Sequence, residues 1–185
     1  MVICAGLDLA AKPHRPSGLA IIEARSPLEL RVLNVSTVYT NHEIVEALRS
    51  SNVDMVAVDS PLSMPSSGRG YRDVDIEMIR HGFRVLPPRW RSMTNLTLRA
   101  MELTEVMRNL GVQVVETHPL SALKSSRCQS LNALTRRINL DVERCSSKHE
   151  ADAVVAAIVC VFHFFKMSLT ISAADGLIVL LPPLC

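Results

Sequence analysis

The chain has 185 residues, of which 48% are hydrophobic and 21% are charged, and its formal net charge is +2. This composition is typical of one folded domain with a sizeable core and excludes an intrinsically disordered chain. The mean hydropathy of +0.22 is high. The longest fully apolar run, Ala153–Phe162, is nevertheless about half as long as a bilayer-spanning helix. We therefore expect a single soluble, cytoplasmic domain over residues 1–185, with no membrane partner.

The five cysteines are scattered and odd in number, and no two of them form a CxxC pair. Such spacing predicts neither a zinc site nor a disulfide framework.

The first third of the chain predicts an antiparallel meander, a helix and a further strand. Val2–Asp8 is apolar and ends on a carboxylate, and the proline-containing segment Ala10–Pro16 predicts a turn. The strands expected after that turn are Ser17–Ala24 and Leu28–Val38, followed by a helix from Asn41 to about Ser51 and a buried strand at Val53–Asp59.

The pattern changes after Pro61. Residues 60–92 are rich in Ser, Pro, Gly and Arg and contain one short helical stretch near residues 73–81, which indicates an insertion. The elements expected beyond it are helices at 94–110, 119–124, 131–138 and 147–166, and strands at 112–116 and 177–181.

This order of elements predicts an α/β fold of the ribonuclease H-like kind. We expect a mixed five-stranded sheet, in which three antiparallel strands precede parallel β/α units, with helices on both faces.

Acidic residues stand where a ligand site is expected in such a sheet. Asp8 and Asp59 end two apolar strands, and Glu116 follows the apolar residues of a third. Ligands of α/β sheets bind beyond the carboxyl ends of the strands. Asp152 lies one turn into a helix that is otherwise apolar almost all round, so its charge should face a partner.

Each acid also has a purely structural interpretation. A strand-end aspartate commonly accepts hydrogen bonds in a turn, and Asp152 could interact with the helix dipole. Glu116 could likewise be structural, and Glu150 matches a capping box with Ser147. Taken together, Asp8, Asp59 and Asp152 predict a site for Mg²⁺ or Mn²⁺, which prefer oxygen ligands.

The chemistry that such a site predicts is metal-dependent hydrolysis of phosphodiester bonds. We expect Asp8 to be the bridging metal ligand, with Asp59 and Asp152 completing the site. Glu116 would be a fourth catalytic carboxylate, either as a ligand or as the group that orients water.

Several short motifs resemble one known family. They are Gly6-Leu7-Asp8-Leu9-Ala10-Ala11, Ala57-Val58-Asp59-Ser60-Pro61-Leu62, the stretch Arg72 to Gly82, Glu116-Thr117-His118-Pro119 and His149-Glu150-Ala151-Asp152-Ala153. Together they are similar to the domain-of-unknown-function 429 family of predicted nucleases. The resemblance covers nearly the whole chain and implies a ribonuclease H-like fold related to Holliday junction resolvases. Some relatives carry a second acid beside the final aspartate, and Glu150 is the acid available for that position here.

Basic residues favour a nucleic-acid partner, either DNA or RNA. The candidate phosphate-binding residues are Arg69, Arg72, Arg80, Arg89, Arg91 and Lys148. Trp90 lies among them and could stack on a base or pack the insertion. These cations could equally form a solvated surface paired with the chain's own acids. His118 could donate a proton near Glu116 or be a structural hydrogen bonder.

Two other classes of protein could use the same core. Sugar and acetate kinases share this core, but their phosphate loops need glycine, and the first turn, Ala10–Pro16, has none. A non-catalytic nucleic-acid-binding or scaffold domain remains the alternative. Resolvase-like enzymes act as dimers, so a homodimer is possible.

Overall fold

A computed structural model describes residues 1–66, 68–142 and 145–185 of the chain. One seven-stranded sheet runs through it in the order β3-β2-β1-β4-β5-β7-β6. The strands are β1 (Val2–Asp8), β2 (Ser17–Ser26), β3 (Glu29–Val38), β4 (Met55–Asp59), β5 (Gln113–Thr117), β6 (Leu169–Ala173) and β7 (Gly176–Leu180). Strands β1, β4, β5 and β7 are parallel, whereas β2, β3 and β6 pair antiparallel with their neighbours.

The predicted mixed sheet is confirmed, but the predicted count of five strands is wrong: the sheet has seven strands, of which six match segments expected to be strands and β6 does not. The apolar run near residues 177–181 forms β7, which extends the sheet beyond β5. Strand β6 then pairs with β7 as a hairpin. It lies at the sheet edge and is largely exposed. Its sequence, Leu-Thr-Ile-Ser-Ala, alternates apolar and polar residues, so the strand pattern was present although β6 was not predicted.

Helices cover both faces of the sheet, as predicted. They are α1 (Asn41–Ser50), α2 (Asp73–Arg80), α3 (Arg91–Asn109), α4 (Pro119–Ser126), α5 (Leu131–Arg137) and α6 (Lys148–Phe164). Helices α1 and α3 bury Ile44, Leu48 and Leu103 against one face. The other four helices pack on the opposite face, where α6 is buried along nearly its whole length. Within the described residues, every helix is too short or too polar to span a bilayer.

Helix α6 lies unusually close to β1 and β2. A Cβ atom placed on Gly18 would be 1.9 Å from the backbone oxygen of His149, and one on Gly6 would be 2.1 Å from the backbone oxygen of Ala153. The helix therefore crosses the two strands at van der Waals contact between main chains. Only glycine permits this approach, because any side chain would collide with backbone atoms.

The predicted insertion at residues 60–92 contains α2, and Ser67 within it is outside the described residues. A buried ion cluster attaches this segment to the sheet. The Arg72 side chain is 1% exposed and donates to both carboxylate oxygens of Asp75 and of Glu116, with the shortest contacts at 2.7 and 2.5 Å. From the β6–β7 turn, Asp175 accepts hydrogen bonds from the backbone N–H groups of Asp73 and Val74 at the start of α2.

The cysteine spacing predicted no disulfide framework, but Cys128 and Cys185 form a disulfide with their Cα atoms 5.1 Å apart. The chain after β7 returns alongside α4, where the N–H groups of Leu184 and Cys185 both donate to the carbonyl oxygen of Ser126. A separation of 57 residues carries no local signal of this pairing.

Replacing Gly18 with alanine should destabilise the protein by about 1–3 kcal/mol or more, because the added methyl group meets the rigid backbone of α6. Urea unfolding followed by circular dichroism measures this change. Gly70→Ala is the matched control: its added methyl group would make an ordinary 3.6 Å contact with Pro87. Equal stability of the two variants would contradict the close approach of α6.

Arg72→Met should cost about 3–5 kcal/mol of unfolding free energy, because it leaves Glu116 and Asp75 buried without their cation. Arg69→Met is the control, since Arg69 forms only an exposed ion pair with Asp73 at 3.3 Å and should change stability by less than about 1 kcal/mol. A similar small loss in both variants would show that the buried cluster does not anchor the segment.

Candidate active site

Two carboxylates meet at the carboxyl ends of the central strands. Asp8 ends β1, Asp59 ends β4, and the two residues are direct partners in the parallel register. Directly paired residues of neighbouring strands share a face of the sheet, so both side chains lie on the α6 side. The apolar runs of β1 and β4 thus end in register with an acid on each strand.

Helix α6 adds two more side chains at this point. Ser147 accepts a hydrogen bond from the backbone N–H of Glu150 and begins the helix above Gly18, the cross-strand partner of Asp8. His149 Nδ1 consequently lies 2.7 Å from Asp8 Oδ2. Asp152 follows three residues later on the same side of the helix, where its Oδ2 is 3.9 Å from Lys148 Nζ.

His149 is absent from the residues predicted for the site. The available signal was its position three residues before Asp152, which places both side chains on one helix face. His149 lies within Ser-Lys-His-Glu, a sequence that indicates a helix cap, and a capping sequence by itself does not predict a site residue.

Burial raises the pKa of all three aspartates, and neighbouring acids add to this effect for Asp59 and Asp152. Burial raises the pKa of Asp59 well above its ordinary value, and the charges of Asp8, Asp152 and Glu116 raise it further. Burial also raises the pKa of Asp8, although the hydrogen bond and charge of His149 oppose this change. The pKa of Asp152 is raised by burial and then by the charge of Asp8. These carboxylates are therefore crowded enough for their charges to repel.

The chemistry of this donor set fits a hard divalent cation. No described residue donates a hydrogen bond to the Asp59 carboxylate, so this group has unused oxygen ligands beside two further acids. Across the described ranges, no three His, Cys, Asp or Glu side chains are already arranged to enclose an ion. Mg²⁺ typically retains several waters and takes only one or two carboxylates from a protein, which such an open arrangement can supply.

Glu116 is close enough to Asp59 for its charge to raise the pKa of that aspartate, but it leaves the sheet from the other face. Its register partner is Val58, whereas Thr117 pairs with Asp59, so Glu116 faces the opposite side of the sheet. Both its oxygens accept from Arg72, and Oε2 also accepts from the N–H of Leu62 at 2.9 Å. Burial raises the pKa of Glu116, and the contacts with Arg72 oppose that change. These contacts engage both carboxylate oxygens of Glu116, and its predicted role, as a ligand or as the group that orients water, stays a prediction.

The two other predicted site residues, Glu150 and His118, each contact polar groups of the chain. Glu150 accepts hydrogen bonds from Thr37 Oγ1 at 2.9 Å and from the N–H of Ser146 at 2.6 Å, so it ties the start of α6 to β3. The Ser146 hydrogen bond lowers the pKa of Glu150. His118 Nδ1 lies 2.7 Å from Ser121 Oγ, and burial lowers the pKa of His118, which favours the neutral ring.

A cavity of about 210 Å³ opens beside the aspartates. Asp8, Asp59, Thr117 and His118 line it from the strand ends, and Arg72, Asp75 and Glu116 lie along another part of its wall. Its remaining lining is largely apolar and comes mainly from the inserted segment and α3: Leu9, Pro61, Val85, Leu86, Met93 and Leu96.

Five of the six candidate phosphate-binding residues are exposed, namely Arg69, Arg80, Arg89, Arg91 and Lys148. Arg69, Arg80 and Lys148 pair with exposed or partly exposed acids, and such pairs are weak enough to exchange partners. Arg72 does not fit its predicted role, because its buried guanidinium is taken up by Asp75 and Glu116.

No protein-family model and no curated protein sequence matches this chain, so the resemblance to the domain-of-unknown-function 429 family stays a prediction. Two solved structures of RuvC from Thermus thermophilus are similar in fold. RuvC in complex with a Holliday junction substrate has 16% sequence identity and a TM-score of 0.58, and the match covers 89% of this chain and 96% of that chain. A second RuvC structure has 15% identity and a TM-score of 0.56, with 89% and 97% covered. The chain therefore has the ribonuclease H-like α/β fold of RuvC.

Proposed function

We propose that this protein is a metal-dependent nuclease that hydrolyses phosphodiester bonds of nucleic acid. The observation that carries the proposal is the convergence of Asp8, Asp59 and Asp152, from three separate elements, beside a cavity at the carboxyl edge of the sheet. The similarity in fold to RuvC, solved with a Holliday junction, supports a nucleic-acid substrate.

Asp8, Asp59 and Asp152 would hold Mg²⁺ or Mn²⁺. When bound, such an ion supplies a Lewis acid for the phosphoryl group and makes water more acidic. His149 acts through Asp8: its hydrogen bond orients the carboxylate, as partners of metal-binding groups commonly do. We assign Glu116 a positioning role instead, since it holds Arg72 and the N–H of Leu62 and thereby fixes the cavity wall.

The exposed cations would bind the phosphate backbone around the site. Arg69, Arg80, Arg89, Arg91 and Lys148 supply charge without base recognition, which positions a nucleic acid but does not select its sequence. The predicted homodimer stays a prediction, as does the choice between DNA and RNA.

The metal site is tested by calorimetric titration with Mn²⁺. The wild type should bind, Asp8→Asn should abolish binding, and His149→Ala should weaken it by roughly tenfold to a hundredfold through loss of the orienting hydrogen bond. Asp141→Asn, the same change at an exposed aspartate, is the control and should bind like the wild type. Absence of binding to the wild type, repeated with an oligonucleotide present, would refute the site.

Cleavage is tested with labelled single-stranded and four-way-junction DNA and RNA in Mn²⁺. Asp152→Asn should lower the rate by more than the roughly hundredfold that loss of an outer partner costs, because it removes a proposed ligand. Binding of the same nucleic acid should persist, since the substitution removes a negative charge and leaves the exposed cations in place. Binding by the wild type without cleavage would favour the non-catalytic binding domain.

A further inference from the structure

The cavity beside the aspartates has a chemical character of its own. Its lining combines the acids Asp8 and Asp59 with several apolar residues. Apolar residues from the inserted segment, such as Val85 and Leu86, face this space together with Leu96 of α3. Metal ions and phosphate groups are bound by polar atoms, which these apolar residues do not supply. We therefore expect the apolar residues to contact a different part of the ligand.

Most polar groups in the lining are already engaged. The carboxylates of Asp75 and Glu116 both accept hydrogen bonds from the Arg72 guanidinium. Ser60 Oγ donates to the carbonyl of Pro61, and Thr117 Oγ1 donates to the carbonyl of Val179.

His118 differs from these groups, since its Nδ1 contacts Ser121 and Nε2 makes no hydrogen bond with the described part of the chain. The cavity therefore offers extensive apolar surface and few free polar atoms. This combination suits a flat group with apolar faces and a polar edge.

We propose that this cavity receives one unstacked nucleobase of the substrate while the adjoining phosphate lies at Asp8 and Asp59. This inference rests on the proposed nuclease function and names its substrate class. Enzymes that take a base out of its stack hold it between apolar or aromatic side chains and hydrogen-bond its polar edge. The apolar residues supply the first kind of contact, and His118 supplies the second.

The size of the cavity limits what can enter. At about 210 Å³ it is smaller than the roughly 300–1,000 Å³ sites that hold drug-sized ligands. It has room for one heterocycle and not for a stacked pair. A base within an intact duplex cannot reach this space without leaving the stack, so the substrate is single-stranded or locally unpaired nucleic acid.

The test uses 2-aminopurine deoxyriboside, a fluorescent nucleoside without a phosphate, titrated with the full-length protein in buffer containing EDTA. Binding should quench its fluorescence and should be reversed by an unlabelled nucleoside but not by deoxyribose. Because neither a metal nor a phosphate is present, this measurement does not depend on the aspartate site.

Three variants locate the binding. Leu96→Trp fills the cavity and should weaken association by at least about tenfold. Leu86→Ala removes part of the apolar lining of the cavity and should weaken association by about threefold. Because the Leu86 side chain is half exposed, this substitution should not prevent folding. Leu98→Trp is the control, because Leu98 lies on the exposed side of the same helix and should bind like the wild type.

Unchanged affinity in both cavity variants, or no binding by the wild type, would overturn the proposal. Weaker nucleoside binding by both cavity variants, by about tenfold or more for Leu96→Trp and about threefold for Leu86→Ala, with Leu98→Trp unaffected, would support it. The manganese titration remains separate: metal binding without nucleoside binding would leave the proposed nuclease intact and remove only the base site.

Discussion

The close contact between α6 and the first two strands is the constraint on which the candidate site depends. At Gly6 and Gly18 the helix backbone rests directly on the sheet, closer than any side chain would allow. Because Gly18 is the cross-strand partner of Asp8, this contact fixes the first turn of α6 above that aspartate. His149 then reaches Asp8 without further adjustment. Two glycines therefore determine the geometry of an acidic site to which they contribute no ligand.

A second constraint separates the buried acids into two groups. Arg72 neutralises much of the charge on Glu116 and Asp75, whereas no arginine within residues 1–66, 68–142 and 145–185 pairs with Asp8, Asp59 or Asp152. Burying charge without a counter-ion is costly, and the raised pKa values of the three aspartates are the sign of that cost. Arg72 thus neutralises the first group, and the proposed metal ion would neutralise the second.

Sequence patterns predicted the parts of this arrangement that depend on local periodicity. Asp8 and Asp59 follow short apolar runs, and Asp152 interrupts an apolar helix, so their unusual positions could be recognised. Glu116 looked equivalent to Asp59, but the strand register displaces it by one residue and turns it to the other face. The disulfide between Cys128 and Cys185 and the contact of His149 with Asp8 join distant segments, and local spacing does not report such contacts. The β6–β7 hairpin, in contrast, is local, with Ala174 and Asp175 between its strands, although β6 was not among the predicted elements.

Residues 60–92, the predicted insertion, supply part of the cavity lining. Its attachment depends on elements that are far apart in sequence: Asp175 in the β6–β7 turn caps α2, and Arg72 just before α2 binds Glu116 of β5. The segment is consequently held over the strand ends, where its apolar side chains close one wall of the cavity. An open carboxylate site would accept a phosphate from many directions, but a walled one restricts how the rest of a ligand can lie. In the proposed nuclease, selectivity would therefore come from residues 60–92 and the contacts that hold them, and metal binding from the aspartates of β1, β4 and α6.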